Sequence, residues 1–358
     1  MKCMINGKPN TKRFKGGLIG YLGSKGKIIG KLLKLFALFQ SSVFIDLCGG
    51  SGLVTLSYYY SVCHFAKRRI INEKSTELAL IYLALSKYSD RLIEVMRTIE
   101  VSEASYTEAR HFLQERANKY LKDYEEDTED ELIHAAALSW FVHHFSRTGS
   151  KISSKPYIDE NKKRWENIIT KDIYRFIEAF AGVEVWNLDA RDALRKIRNE
   201  IKDECTVFID PPYLSDKHSN VKTDPNTYKY NDSRRECFLK EAGHAQMLDL
   251  ASKLPKNRFH VIVSNYENEV YDSKLATKAF RGWHKRFIEK IPSQCGSGTN
   301  SRNGQTAREF VYTNFGYIIS NCKYWWVEES PRISFIYIGG LNKSKIIHFP
   351  LFRRSGMP

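Results

Sequence analysis

The chain has 358 residues, 42% hydrophobic and 27% charged, which suffices for one large core or one core with an inserted lobe. Its net charge of +15 points to a polyanionic partner or an acidic surface, without distinguishing DNA, RNA and anionic lipid. No stretch reaches the roughly 20 apolar residues of a membrane helix, the basic N-terminus lacks the apolar core of a secretory signal, and seven cysteines without a CxxC pair fit free thiols in a reducing cytoplasm.

Residues 1–15 read as a polar, basic arm. The glycine-rich stretch Gly16–Lys25 follows, and Tyr21, Gly23, Ser24 and Lys25 lie just before an apolar-periodic helix expected from about Ile28 to Phe39. Glycines let a backbone approach a ligand closely, and helix amino termini favour anions. Val43-Phe44-Ile45-Asp46 reads as a strand. Leu47-Cys48-Gly49-Gly50-Ser51-Gly52 then turns into a helix near Leu53. This is the strand, glycine turn and helix of an adenosine-binding α/β unit, without the GxGxxG spacing of a dinucleotide site. A second strand, Arg69–Glu73, ends on an acid about 20 residues past the glycines, where a carboxylate can accept ribose hydroxyls.

Residues 76–182 read mainly as helix, with apolar periodicity over Glu77–Ser86, Leu92–Ile99 and Leu132–Phe145. Lys122–Glu131 is mostly acidic and expected to be solvated. His143-His144 has no acid or cysteine spacing that would make a metal site. Beyond it the character changes: Arg147, Lys151, Lys155 and Lys162-Lys163-Arg164 interleave with Tyr157 and Trp165, a pattern that suits phosphate contacts with stacking. Val183–Asp189 reads as a further strand ending in an acid, with Asp192 close by.

Cys205–Ile209 is a short apolar run expected to be a buried strand, and Asp210-Pro211-Pro212-Tyr213 sits at its carboxyl end, where open α/β sheets bind ligands. The prolines fix their φ angles and give up their N–H groups. A stiff turn results, with a carboxylate, unpaired carbonyls and an aromatic ring. It suits a flat base with an exocyclic amine, whose two N–H groups need acceptors. Leu214–Asp232, with Lys217 and Lys222, reads as a long loop beside that turn. Cys237–Leu254 reads as a helix and Phe259–Asn265 as a strand. Ile291–Glu309, with Arg302 and Arg308, reads as a long hairpin tip. Residues 317–358 hold two strand-like runs, Tyr324-Trp325-Trp326 and Ile333–Ile338, expected as an added hairpin on the sheet.

The DPPY tetrapeptide after a hydrophobic strand, with its upstream glycine turn, resembles the amino-methyltransferases that use S-adenosylmethionine. The motif order resembles the Dam-like DNA adenine N6-methyltransferases over roughly residues 15–316. The resemblance implies an α/β, Rossmann-like methyltransferase sheet over 16–75 and 183–316, an inserted helical DNA-recognition lobe over 76–182, and a C-terminal extension over 317–358. It implies S-adenosyl-L-methionine as cofactor. Tyr21 and Lys25 would lie near its methionine end, Asp46 near its amino group, Cys48, Gly49, Gly50 and Gly52 beneath it, Glu73 on the ribose and Asp189 beside the adenine. Asp210, Pro211, Pro212 and Tyr213 would hold and stack the target base. Arg147, in the Arg-Thr-Gly that matches the family's DNA-contacting lobe, would contact double-stranded DNA, with Lys151, Lys155, Lys217, Lys222 and Arg302. A cognate restriction enzyme is a candidate further partner.

The expected reaction moves a methyl group to adenine N6 in DNA, with the base swung out of the duplex and no metal required. Cytosine N4, adenine in RNA and a glutamine side chain remain as other amines; serine is commoner at the Asp210 position for the first and asparagine for the last. An inactive DNA-binding relative and a nicotinamide oxidoreductase remain as other classes, and the glycine spacing counts against the second.

Overall fold

The computed structural model describes residues 18–19, 25–62, 66–116, 128–146, 156–214, 241–292 and 306–316, with short strands elsewhere. Seven strands form one sheet: β1 (Val43–Asp46), β2 (Arg68–Asn72), β3 (Glu184–Trp186), β4 (Cys205–Ile209), β5 (Phe259–Tyr266), β6 (His284–Pro292) and β7 (Thr306–Thr313). Their order is β3-β2-β1-β4-β5-β7-β6. The first five are parallel, and β7 runs antiparallel between β5 and β6. From β1 the chain moves outward to β2 on one side, and β4 adds on the other. The carboxyl ends of β1 and β4 therefore flank the point where strand order reverses, the usual place for a ligand crevice.

The central strands are buried on both faces, which is why they read as continuous apolar runs. Alternation sorts their side chains. Val43, Ile45, Val207 and Val263 pack with Leu194 of helix α9 (Ala190–Glu200) and Met247 of α10 (Glu241–Ser252). Phe44, Phe208 and Ile262 pack on the other face with Phe36 of α1 (Ile29–Phe36) and Tyr58 of α2 (Leu53–Ser61). A one-residue slip in register would exchange these two sets.

Between β2 and β3 the chain forms α3 (Thr76–Lys87), α4 (Ser89–Thr98), α5 (Glu103–Glu115), α6 (Glu129–Phe145), α7 (Ile158–Asn167) and α8 (Ile173–Phe180), with a short π-helix at Ile168–Asp172. Helix α6 is buried almost all round: Trp140, Phe141 and Phe145 are inaccessible to solvent. The helical segment shares one continuous core with Leu56 of α2 and Ile71 of β2, through α3. It has no separate core of its own among the described residues.

Several expected boundaries shift. The strand read over 183–189 is Glu184–Trp186 alone, because Asp189 turns to cap α9. The N-terminal arm contains a short antiparallel pair, Met4–Ile5 with Lys8–Pro9. The C-terminal runs do not extend the main sheet. Strands β8 (Val327–Ser330), β9 (Ile333–Ile338) and β10 (Lys345–His348) pair with one another in a separate three-stranded sheet. Tyr324-Trp325-Trp326 lies outside the described residues, as does most of the acidic run 122–131.

Candidate active site

The register of β1 against β4 fixes the site. Asp46 lies level with Phe208, so Asp210, two residues on, stands just beyond the end of β1. The Leu47 N–H donates to the Phe208 carbonyl at 2.8 Å and continues the ladder to the edge of the turn.

The glycine turn is built by close packing. Gly50 and Gly52 have φ of 53° and 67°, left-handed values that disfavour a side chain. A Cβ on Gly52 would come within 2.9 Å of Leu18 and 3.1 Å of Phe180. The Leu18 N–H donates to the Ser51 carbonyl at 2.8 Å, and Trp140 Nε1 donates to the Leu18 carbonyl at 3.1 Å, so α6 pins the N-terminal segment over the turn.

Asn72, at the end of β2, ties the turns that follow β1 and β3 to its own strand. Its Nδ2 donates to the Leu47 carbonyl at 2.9 Å and to the Leu188 carbonyl at 3.1 Å, and its Oδ1 accepts from the Leu188 N–H at 3.1 Å. Glu73 accepts from the Gly50 N–H at 2.9 Å and from the Ser75 N–H at 2.9 Å. Each oxygen thus takes one backbone donor and keeps capacity for another.

Asp46 is 1% exposed. Its Oδ2 accepts from Thr55 Oγ1 at 2.9 Å, while its buried Oδ1 has no protein partner. Burial pushes its carboxyl up to about 7; the Thr55 hydroxyl opposes this, and the charges of Asp210 and Glu73 add to it. Cys48 lies among these acids. Burial, then Glu73, Asp210 and Asp46, push its thiol well up, so it stays protonated and is no nucleophile at neutral pH.

Asp210 meets Lys25. The Lys25 Nζ lies 2.6 Å from Asp210 Oδ2 and 4.5 Å from the centroid of the Tyr213 ring, which it faces. Asp210 Oδ1 is buried without a protein partner. Burial raises this carboxyl to about 6 against the pull of Lys25, and Glu309 adds to the rise. The Tyr213 hydroxyl donates to Glu309 Oε1 and lies 2.9 Å from Ser264 Oγ. Its ring packs edge-on against Tyr266 at 4.5 Å. His244, a fully buried residue of α10, lies near the Pro212 backbone, and its Nδ1 is 2.9 Å from the Tyr271 hydroxyl.

Asp189 caps α9 and is occupied by cations: Arg191 Nε at 2.8 Å and Lys74 Nζ at 3.1 Å. Burial alone would raise its carboxyl, but Arg191 and Lys74 hold it down at about 2. Asp192 is exposed and pairs with Arg195 instead.

Residues 21–293 match the family described as D12 class N6 adenine-specific DNA methyltransferase. The chain belongs to that family. This methyltransferase is also similar to two solved structures of the rRNA methyltransferase aviRa from Streptomyces viridochromogenes. One is 12% identical with a TM-score of 0.32, covering 82% of this chain and 86% of that one. The other is 13% identical with a TM-score of 0.30, covering 80% and 82%. No curated protein matches the sequence.

The structure brings Lys25, Asp46, Cys48, Gly49, Gly50, Gly52, Glu73 and Asp210–Tyr213 of the methyltransferase to one end of the sheet. Tyr21, Arg147, Lys151, Lys155, Lys217, Lys222 and Arg302 lie outside the described residues. Sequence reading missed Glu309, Ser264 and His244; their side chains reach the turn only through the pairing of β5 with β7 and the packing of α10. No helix among the described residues is long and apolar enough to cross a membrane.

Proposed function

We propose that the crevice between the glycine turn and Asp210–Tyr213 joins S-adenosylmethionine to an extruded adenine of double-stranded DNA, and that these residues carry the N6 methylation of this family. One observation supports this most. Asp46 Oδ1 and Asp210 Oδ1 are buried acceptors without protein partners, at the same end of neighbouring strands. Leaving such groups unmet is costly. A cofactor's amino group suits the first, and the base's amine suits the second.

When bound, S-adenosylmethionine supplies a methyl group on a positively charged sulfur. The residues of this chain do the rest. Asp46 holds the ammonium and Glu73 the ribose hydroxyls, with Gly49, Gly50, Gly52 and Cys48 forming the floor. Lys25 occupies Asp210 Oδ2 and so directs Oδ1 at the adenine amine. The Pro211 carbonyl accepts the second N–H, which localises the nitrogen lone pair for the new C–N bond as the C–S bond breaks. The nitrogen then gives up one proton, for which Asp210 is the adjacent acceptor. Tyr213 offers its ring to the base. Catalysis is largely positioning, with nitrogen and methyl carbon held about 3 Å apart. Asp189, already neutralised by Arg191 and Lys74, borders the adenine end.

DNA contact falls to the basic segments: Arg147, Lys151 and Lys155 before α7, Lys217 and Lys222 after Leu214, and Arg302 between β6 and β7. The helical residues 76–182 form the recognition lobe in this reading, and a restriction enzyme is its candidate companion. Incubating the protein and its Asp210→Asn variant with labelled S-adenosylmethionine, on DNA and on RNA, tests the reading. Label should enter adenine of DNA with the parent protein alone; label in RNA only, or full transfer by the variant, refutes it.

A further inference from the structure

The Asp210–Tyr213 turn is gripped from a strand far away in sequence. Glu309, on β7, is 2% exposed. Its Oε1 accepts from the Tyr213 hydroxyl and, at 2.8 Å, from Ser264 Oγ; the two hydroxyls lie 2.9 Å apart. Each hydroxyl carries one hydrogen, so both satisfy Oε1 only when neither donates to the other. In that arrangement Glu309 Oε1 is the shared acceptor, and its bond from the Tyr213 hydroxyl fixes where the phenol oxygen sits.

A neutral acceptor could receive the same two hydrogen bonds. A buried carboxylate costs more than an amide unless a cation compensates it. The cation at hand is Lys25, whose Nζ is 3.8 Å from Glu309 Oε1 and 2.6 Å from Asp210 Oδ2. One ammonium thus stands between two carboxylates, one on the turn after β4 and one on β7, over the face of the Tyr213 ring.

We propose that Glu309 is a positioning residue for methyl transfer: it sets the Tyr213 ring through the phenol oxygen and shares the Lys25 ammonium with Asp210. The proposal rests on Asp210–Tyr213 being the catalytic turn. Glu309 does not touch the reacting atoms in this account. It acts on the rate through Tyr213 and on the ionisation of Asp210 through charge. The groups facing Asp210 are Lys25, Asp46, Cys48, Tyr213, Tyr271 and Glu309. Of the two acids among them that repel its charge, Glu309 is the one bound to Tyr213.

The test is steady-state methyl transfer by the full chain, with labelled S-adenosylmethionine on unmethylated genomic DNA, across pH 5 to 9. Glu309→Gln keeps the shape and one acceptor but exchanges a charge-assisted bond for a neutral one. Its kcat should fall about tenfold, with KM for S-adenosylmethionine unchanged within about twofold. The acid limb of its kcat profile should move to lower pH, because a repelling charge beside Asp210 is gone. Tyr213→Phe, which removes the same hydrogen bond from the other side, should reproduce the loss in kcat. On that background Glu309→Gln should cost little more. An unchanged kcat and acid limb in Glu309→Gln, with Asp210→Asn inactive, would overturn the proposal while leaving the catalytic turn in place. So would a tenfold loss that persists undiminished in the Tyr213→Phe background with the limb unmoved, which marks a packing defect. Full activity in Asp210→Asn removes the turn itself, and the proposal with it.

Discussion

Lys25 Nζ and Asp210 Oδ2 are 2.6 Å apart, with side-chain exposures of 4% and 17%. The pair joins the helical turn Lys25–Lys27, just before α1, to the turn after β4. Removing one partner of a buried pair leaves the other charge uncompensated, typically at about 3 kcal/mol. Lys25→Met should therefore destabilise the protein by about that amount in thermal melts. It should also push the Asp210 carboxyl above its present value of about 6. Transfer at pH 7 should drop more than tenfold and recover as the pH is raised towards 9. A variant as active at pH 7 as the parent would take Lys25 out of the reaction.

Asp46 makes a prediction of opposite sign. Its carboxyl is raised from 3.8 to about 7, so the folded chain holds this proton more tightly than the unfolded chain does. Stability from this group is lost as pH rises from about 4 to about 7 and stays lost above, by a total on the order of 4 kcal/mol. Asp46→Asn, which retains an acceptor for Thr55, should melt at a higher temperature than the parent at pH 8 and not at pH 4. The same variant should bind S-adenosylhomocysteine more weakly. Melting curves at both pH values decide the first point: parallel shifts at pH 4 and pH 8 would show that ionisation of Asp46 is not involved.

What could be read from the sequence follows a physical division. Val43–Asp46 and Cys205–Ile209 were legible because central parallel strands are apolar on both faces. The glycine turn and DPPY were legible because their chemistry is local to a few consecutive residues. Glu309 and Ser264 were not. Periodicity says which face a side chain takes, and only the pairing of β5 with β7 says what it meets. Asp189 was read as the acid ending a strand, whereas it caps α9 and is occupied by Arg191 and Lys74. Arg191, two residues on and at the second position of the helix that Asp189 caps, was the signal available.

Glu73 offers a test of the cofactor end. Its two oxygens accept separate backbone donors, Gly50 N–H at 2.9 Å and Ser75 N–H at 2.9 Å. Glutamine can satisfy only one of these with its oxygen, and its NH2 would then face the other N–H. Glu73→Gln should cost about 1–2 kcal/mol of stability and weaken S-adenosylhomocysteine binding at least tenfold by calorimetry. DNA affinity, measured by gel shift or anisotropy, should not change. Weakened DNA binding with intact cofactor binding would contradict the assignment of Glu73.

The glycine turn itself can be tested without cofactor. A Cβ on Gly49 would sit 2.7 Å from Ile71 Cδ1, 2.8 Å from Ile71 Cγ1 and 3.1 Å from Tyr82 Cε2. Ile71 is fully buried in the core shared with α3, so it has little room to give. Gly49→Ala should destabilise by about 2 kcal/mol through overpacking. Ile71→Val deletes the Cδ1 atom that the new methyl would strike first, and alone should cost about 1 kcal/mol. If steric conflict is the cause, the double variant should be less destabilised than the sum of the single ones, with a coupling of at least about 0.5 kcal/mol in denaturant melts. Strict additivity would place the need for Gly49 in the backbone, not in the contact with β2.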